Sequence, residues 1–268
     1  MSALTLKLKA TPDQRLDLSA LSPAKVSAMS QGDIERLSIG IGRRSVKLGD
    51  VFAISGTPGD TLVIEGSTAR LDGIGTELDQ GTLIVEGDVG AYAARRMKGG
   101  RLDIRGAAGA YLASGLRGGI VTAKSAGDLA GAPKVGERFG MLGGVVVISG
   151  DVGERAGDRM RRGTIIAKGR FGASAGSRMM GGTLWTEQGF GAGPGPLMRR
   201  GTLIGPSVER LLPTFNDAGL HDLNVLRLIS RYFAETLGEL APPALPPKVR
   251  RISGDLATIG KGEILLTA

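Results

Sequence analysis

Apolar and polar residues alternate in short bursts along this chain, and from residue 81 to 206 the bursts return at a fixed interval. Aligned on a glycine, they read Gly81-Thr-Leu-Ile-Val, Gly100-Arg-Leu-Asp-Ile, Gly119-Ile-Val-Thr-Ala, Gly144-Val-Val-Val-Ile, Gly163-Thr-Ile-Ile-Ala, Gly182-Thr-Leu-Trp-Thr and Gly201-Thr-Leu-Ile-Gly. The steps between anchors are 19, 19, 25, 19, 19 and 19 residues. Within each repeat the second and fourth residues after the anchor are apolar almost throughout, as in Leu83 and Val85 or Ile165 and Ala167. That period of two predicts a strand with one face inward. A repeat this short and glycine-rich cannot hold the two helices of a helical repeat.

Two more columns share the interval. The eighth position carries Val89, Ala108, Val152, Phe171 and Phe190, each followed by a glycine, which fits a corner with positive φ or no room for a side chain. Three residues before each anchor stand Leu78, Met97, Leu116, Met141, Met160, Met179 and Met198. Because leucine shares the register, this column reads as a stacked core ladder rather than a metal or partner surface. Three inward columns predict an all-β solenoid: a parallel β-helix of about 19 residues per coil, with an N-terminal cap and a C-terminal helix. With stacked strands about 4.8 Å apart, the regular array would span roughly 30 to 35 Å.

The flanks divide accordingly. Residues 1–36 read as an N-terminal strand and cap, opened by the alternating Leu4-Thr-Leu-Lys-Leu-Lys9, with Ser22-Pro23 marking a short helix start. Residues 37–206 read as the β-helix, irregular before 81. In 207–268 the period changes: Leu223, Leu226, Ile229, Phe233 and Leu237 recur at helical spacing before Gly238, with Val225, Leu228 and Tyr232 widening the stripe. A helix so patterned is covered on more than one side: it caps or flanks the prism, and its second side is buried either within the molecule or at an interface with another subunit. A proline-rich connector at 241–247 and a last strand at 263–266 follow. The one 25-residue step places six extra residues within Ser125 to Glu137, as a bulged corner or a contact loop.

Composition narrows the chemistry. With 268 residues and no cysteine, the chain can bury a core but forms no disulfide, thiolate metal site or cysteine nucleophile. It shows no signal-peptide pattern and no apolar run that spans a bilayer, so a cytoplasmic protein that does not engage a membrane is the expectation. The one histidine, His221, has no second histidine or cysteine to join it, and no metal site is expected. Asp88 and Asp151 share a register but lie several coils apart, so they form no acid–base pair. No phosphate-binding or calcium-binding glycine pattern is present. The sequence therefore predicts no catalytic constellation.

Positive charge, in contrast, is placed systematically. The five residues before the anchors hold Arg95, Arg96, Lys98, Arg117, Arg159, Arg161, Arg162, Arg178, Arg199 and Arg200 against one acid, Asp158. Stacking puts these ten along one edge, with a gap at Phe139-Gly-Met-Leu142. In a chain of formal charge +8, such an edge is either a solvated corner or a track for a polyanion or acidic partner. No aromatic interleaving or nucleic-acid module accompanies the arginines, so nucleic acid is not an expected partner.

The repeated Gly-x-x-Gly corners before Gly-Thr-Leu strands resemble the domain shared by the C-type subunit of formylmethanofuran dehydrogenases and the C-terminal part of the large glutamate synthase subunit. The Leu48-Gly-Asp-Val-Phe-Ala-Ile-Ser-Gly56 segment, the 223–237 helix pattern and the Gly262-Glu-Ile-Leu-Leu266 ending extend the resemblance along the whole chain. Within that family the arginine- and alanine-rich, cysteine-free chain is most similar to the C-type subunit of bacterial formyltransferase/hydrolase complexes. The resemblance implies a non-catalytic subunit, partnered by catalytic formyltransferase and hydrolase subunits. In that assembly formyl groups pass from tetrahydromethanopterin to a methanofuran-type cofactor and leave as formate, in one-carbon (formaldehyde) oxidation. It also implies that the basic edge could anchor the cofactor's polyglutamate tail. The competing readings are a glutamate synthase-like accessory domain and a free-standing polysaccharide-binding β-helix protein.

Overall fold

The computed structural model describes residues 3–267. One 13-stranded mixed sheet dominates it. Its middle is built by the repeats: strands Thr61–Ser67, Thr82–Gly87, Arg101–Ile104, Ile120–Ala123, Leu142–Ile148, Arg162–Ala167, Met180–Thr186 and Arg200–Gly205 lie side by side and parallel. Register is held by the inward leucines and their equivalents. Leu62 faces Leu83, then Leu102, Val121, Val146, Ile165, Leu184 and Leu203 in unbroken succession. All are fully buried, and each such side chain contributes about 1.5–3 kcal/mol of burial.

This architecture corrects the expectation of a closed, all-parallel β-helix. The sheet is mixed: Phe52–Ser55 pairs antiparallel with Leu4–Leu8 at one end, and Lys248–Gly254 and Asn216–Asp222 add antiparallel strands at the other. The remaining sides are not sheets of equal rank. At the eighth-position column the contact shrinks to isolated bridges, such as Val152 to Phe171 and Phe171 to Phe190, and to two two-stranded pieces. Among the described residues, the side that bears the methionine column holds no strand at all.

There the backbone takes positive φ at every second residue, 62° at Tyr92, 57° at Ala94 and 53° at Arg96. The N–H groups of alternate residues then point in turn to the next repeat and the previous one, while Arg95 and Met97 donate within their own turn. Tyr92 donates to the Ala110 carbonyl, Ala94 to Ile74, Arg96 to Ser114 and Lys98 to Leu78. Three inward columns therefore do not require three β-sheets, because a turn of this kind also stacks with its amides paired.

The methionines explain the anchor glycines. A Cβ on Gly119 would lie 2.6 Å from the Met97 methyl and 2.7 Å from the Gly100 carbonyl oxygen, and Gly119 has φ +85°. Gly163 meets Met141 and the Gly144 carbonyl in the same way, at 2.7 and 2.8 Å. Each methionine fills the space under the next anchor, and only glycine leaves that space open.

The flanks finish the sheet. Leu4–Leu8 buries Leu4 and Leu6 beside Thr61–Ser67, and Ser22 caps the short helix Pro23–Ser27 by accepting from the Lys25 N–H. At the far end Lys261–Leu266 runs parallel to Arg200–Gly205 with Gly262 opposite Gly201. The Gly262-Glu-Ile-Leu ending is thus one more repeat strand, delivered after an excursion through 207–260. That excursion includes the helix Asn224–Leu237, ended by Gly238 at φ 54°. Leu226, Phe233 and Leu237 pack onto the outer face of the sheet, against Val145, Val147, Ile166, Trp185 and Ile204.

Candidate functional site

The basic edge forms where the turns feed the repeat strands. The register three before each anchor is sealed inside, with Met97, Met141, Met160, Met179 and Met198 at zero exposure, so the residues flanking it face outward. Lys98, Arg117, Arg161 and Arg199, two before their anchors, are all exposed.

The structure divides the ten candidates into three groups. Arg95 and Arg178 are consumed by the fold. The Arg95 guanidinium is mostly buried and bonds Glu137, while Arg178 clasps the buried Asp158 with Nε and Nη2 at 2.9 and 2.8 Å. Arg96 and Lys98 flank Glu77 loosely, at 3.6 and 3.9 Å. Arg117, Arg159, Arg161, Arg162, Arg199 and Arg200 have no carboxylate within 4 Å among the described residues. On this edge six cations thus stand without a carboxylate partner, and their positive charge is not neutralised locally.

The gap at Phe139 is filled by a residue that periodic reasoning missed. Arg138 lies over the Phe139 ring at 4.9 Å and Arg161 lies over the same ring at 5.1 Å, which joins the 25-residue repeat to the edge. Arg138 stands just past the stretch assigned to the extra residues, six before Gly144, where the other repeats carry glycine or alanine, so no recurring charge marked it. The insertion folds back over the preceding repeats, with Glu137 on Arg95 and the Lys134 ammonium 5.6 Å above Tyr92, itself stacked on Tyr111. Burial, then the neighbouring Tyr111, pushes the Tyr92 phenol above its ordinary value, so it is protonated at neutral pH.

The recurrent aspartates have a structural occupation. Asp72, Asp88, Asp128 and Asp151 each accept from a backbone N–H of the following repeat through Oδ1, at 2.7–2.8 Å. The His221 ring lies 3.0 Å from the Ala218 carbonyl. Among the described residues, no group of three or more His, Asp or Glu gathers to hold a metal ion, and no helix is long and apolar enough to cross a membrane.

No family model matches the chain. Over about a third of its length it is 32% identical to the C-type subunit of the tungsten-containing formylmethanofuran dehydrogenase 2 of Methanothermobacter marburgensis, covering 36% of that protein. The full length is matched by the C-type subunit of the formyltransferase/hydrolase complex Fhc of Methylorubrum extorquens, 44% identical over 265 residues, which are 98% of this chain and 99% of the relative. In the crystal structure of that complex (FhcABCD) with methylofuran, one chain superposes with a TM-score of 0.92 at 43% identity, covering 98% of this chain and 99% of its own. The chain belongs to the family of C-type subunits of formyltransferase/hydrolase complexes.

Proposed function

We propose that this chain is the non-catalytic C-type subunit of a cytoplasmic formyltransferase/hydrolase complex, one that converts formyl-tetrahydromethanopterin to formate through a methanofuran-type cofactor. Its task there is to bind and to position. The observation that carries this reading is the match over the whole chain to the C-type subunit of Fhc, together with a surface whose organised chemistry is charge. Formyl transfer and hydrolysis belong to the partner subunits. The basic edge anchors the cofactor's polyglutamate tail: carboxylates at short intervals meet guanidiniums at repeat intervals, in charge-assisted hydrogen bonds that arginine makes in bidentate form.

The test is charge reversal at positions that the fold does not use. Arg178 is unsuitable, because its loss would strip the buried Asp158 of its bidentate partner and leave only Arg155 at 3.8 Å. Arg117→Glu, Arg161→Glu and Arg199→Glu are combined, and the assembled complex is purified at low and high salt. The expected outcome is loss of most of the bound cofactor, with a steeper loss on adding salt because exposed charges are screened over about 10 Å at 0.1 M. Wild-type cofactor content at both salt concentrations overturns the anchoring role and leaves subunit membership standing.

A further inference from the structure

The apolar surface of this molecule is as unevenly placed as its charge. Among the described residues nine large hydrophobic side chains are exposed, and eight of them lie between Leu197 and Ile259. Residues 207–268 hold seven lysines and arginines against seven acids, so the whole formal charge of +8 resides in 1–206. The C-terminal segment is therefore neutral and apolar, beside a body that is basic.

The helix Asn224–Leu237 concentrates this surface. At about 100° per residue its buried side chains Leu226, Phe233 and Leu237 centre on one direction, with Ile229 beside them. Val225, Leu228 and Tyr232 form a second stripe about 120° away, and remain 50%, 66% and 50% exposed. The two stripes join into one apolar arc of about 200°, roughly twice the width that a helix lying on a single surface needs. The opposite flank is polar and self-compensated, with Arg231 bonded to Glu235 at 2.7 Å. The sheet covers half of the arc.

We propose that the Val225, Leu228 and Tyr232 stripe docks onto a neutral, apolar face of another subunit of the complex. The inference rests on the assembly reading given above and adds the face that makes the contact. Charge selects the kind of partner: an acidic protein would be drawn to the basic edge, whereas a segment without net charge that exposes leucine, valine and tyrosine matches the apolar, charge-depleted core of a protein interface. The two surfaces then work side by side, the arc holding the subunit in place and the edge remaining open to a polyanion.

The experiment compares the wild-type chain with Val225→Glu/Leu228→Glu and Tyr232→Glu variants, each co-expressed with the other subunits and purified through a tag on one of them. Isolated variant chains should melt within a few degrees of the wild type, because the substituted side chains are exposed. Recovery in the complex should fall at least tenfold for the double variant. Recovery at the wild-type level overturns the proposal alone. A wild-type chain that fails to co-purify overturns the assembly reading and this proposal together. A wild-type chain that dimerises in isolation, and is made monomeric by the double variant without loss of recovery, assigns the stripe to a second copy and overturns the proposal.

Discussion

The outer face of the sheet has two halves that differ in one register. Three residues after the anchor stand Ile84, Asp103 and Thr122 in the early repeats, and Val147, Ile166, Trp185 and Ile204 in the later ones. In the early half Asp103 receives a hydrogen bond from Thr122 at 2.8 Å and an ion pair from Arg101 at 2.7 Å, beside a recess of about 240 Å³ that Lys124 and Leu240 also line. In the later half the same position is buried beneath the helix. The inner columns stay apolar along the whole sheet. Inward periodicity thus sets the stacking, and the helix lands where four successive repeats are apolar at this outward position.

The comparison is broken most severely from inside. Phe171 and Phe190 stack with ring centroids 5.4 Å apart in the inner column, so Phe171→Ala should cost about 3–5 kcal/mol in urea unfolding and weaken both halves together. Ile166→Ala, on the outer register, should cost about 2–4 kcal/mol, whereas Thr122→Ala in the open half should stay near 0.5 kcal/mol. Equal costs for these two would show that the helix does not distinguish the halves. Trp185 is the chain's only tryptophan and lies under the helix, so its fluorescence reports docking directly. Phe233→Ala should shift that emission to the red before global unfolding.

Removing the Asp158 carboxylate tests the edge rather than the layer. Asp158→Ala leaves Arg178 without its bidentate partner at the base of the basic strip. Arg178 is one-third exposed, so the cost should fall near the low end of the range for a broken buried pair, about 3 kcal/mol. Asp158→Asn keeps the shape and should recover part of it. If both variants match the wild type in denaturant midpoint, the pair adds no rigidity to the edge.

Much of this molecule was legible because repetition makes a weak signal strong. A single Leu-x-Val is ambiguous, but Leu83, Leu102, Val121, Val146, Ile165, Leu184 and Leu203 at one register are not, and the sheet aligns them as the spacing required. The helix and its stop at Gly238 were legible for the same reason, through a different period. The closure into a β-helix was not, because an inward column specifies burial and leaves backbone conformation open. Met97 and Met160 are buried in turns whose alternate residues adopt positive φ, and Arg96 and Arg159 take that conformation without being glycine. Arg138 was invisible for the opposite reason, since its register holds glycine or alanine in every other repeat and no charge recurs there. Val147 to Ile204 were readable as the helix's landing site from the same alignment, had the third register been set beside the second and fourth.

A titration probes the junction where the sheet's last strands leave the repeats. Burial raises the Asp255 carboxyl, but its bonds with Thr214 and with the Ala257 and Leu197 N–H groups outweigh burial and hold it below the ordinary carboxylate value. A carboxylate depressed in the folded state contributes stability that is complete above its unfolded value of about 3.9 and is lost as pH falls through the lowered one. Asp255→Asn should therefore lower the melting temperature at pH 7, by less than Asp158→Ala, and the gap to wild type should close as pH is taken below about 4. A gap that stays constant across that range would assign the role of Asp255 to its shape.

The smallest effect is expected at the exposed face of the early half. Glu86 on Thr82–Gly87 and Arg105, just past the end of Arg101–Ile104, have 4.0 Å between charged atoms, and both side chains are more than half exposed. Solvent screening and the entropy of two long side chains leave such a pair about 0.5 kcal/mol or less, so a double-mutant cycle with Glu86→Gln and Arg105→Gln should return a coupling near zero at 0.15 M salt. At low salt the coupling should grow by a few tenths of a kcal/mol. A coupling above about 1 kcal/mol that survives high salt would mean that this stretch of the early half is shielded from water, and the contrast between the two halves would then lie in the kind of cover and no longer in its presence.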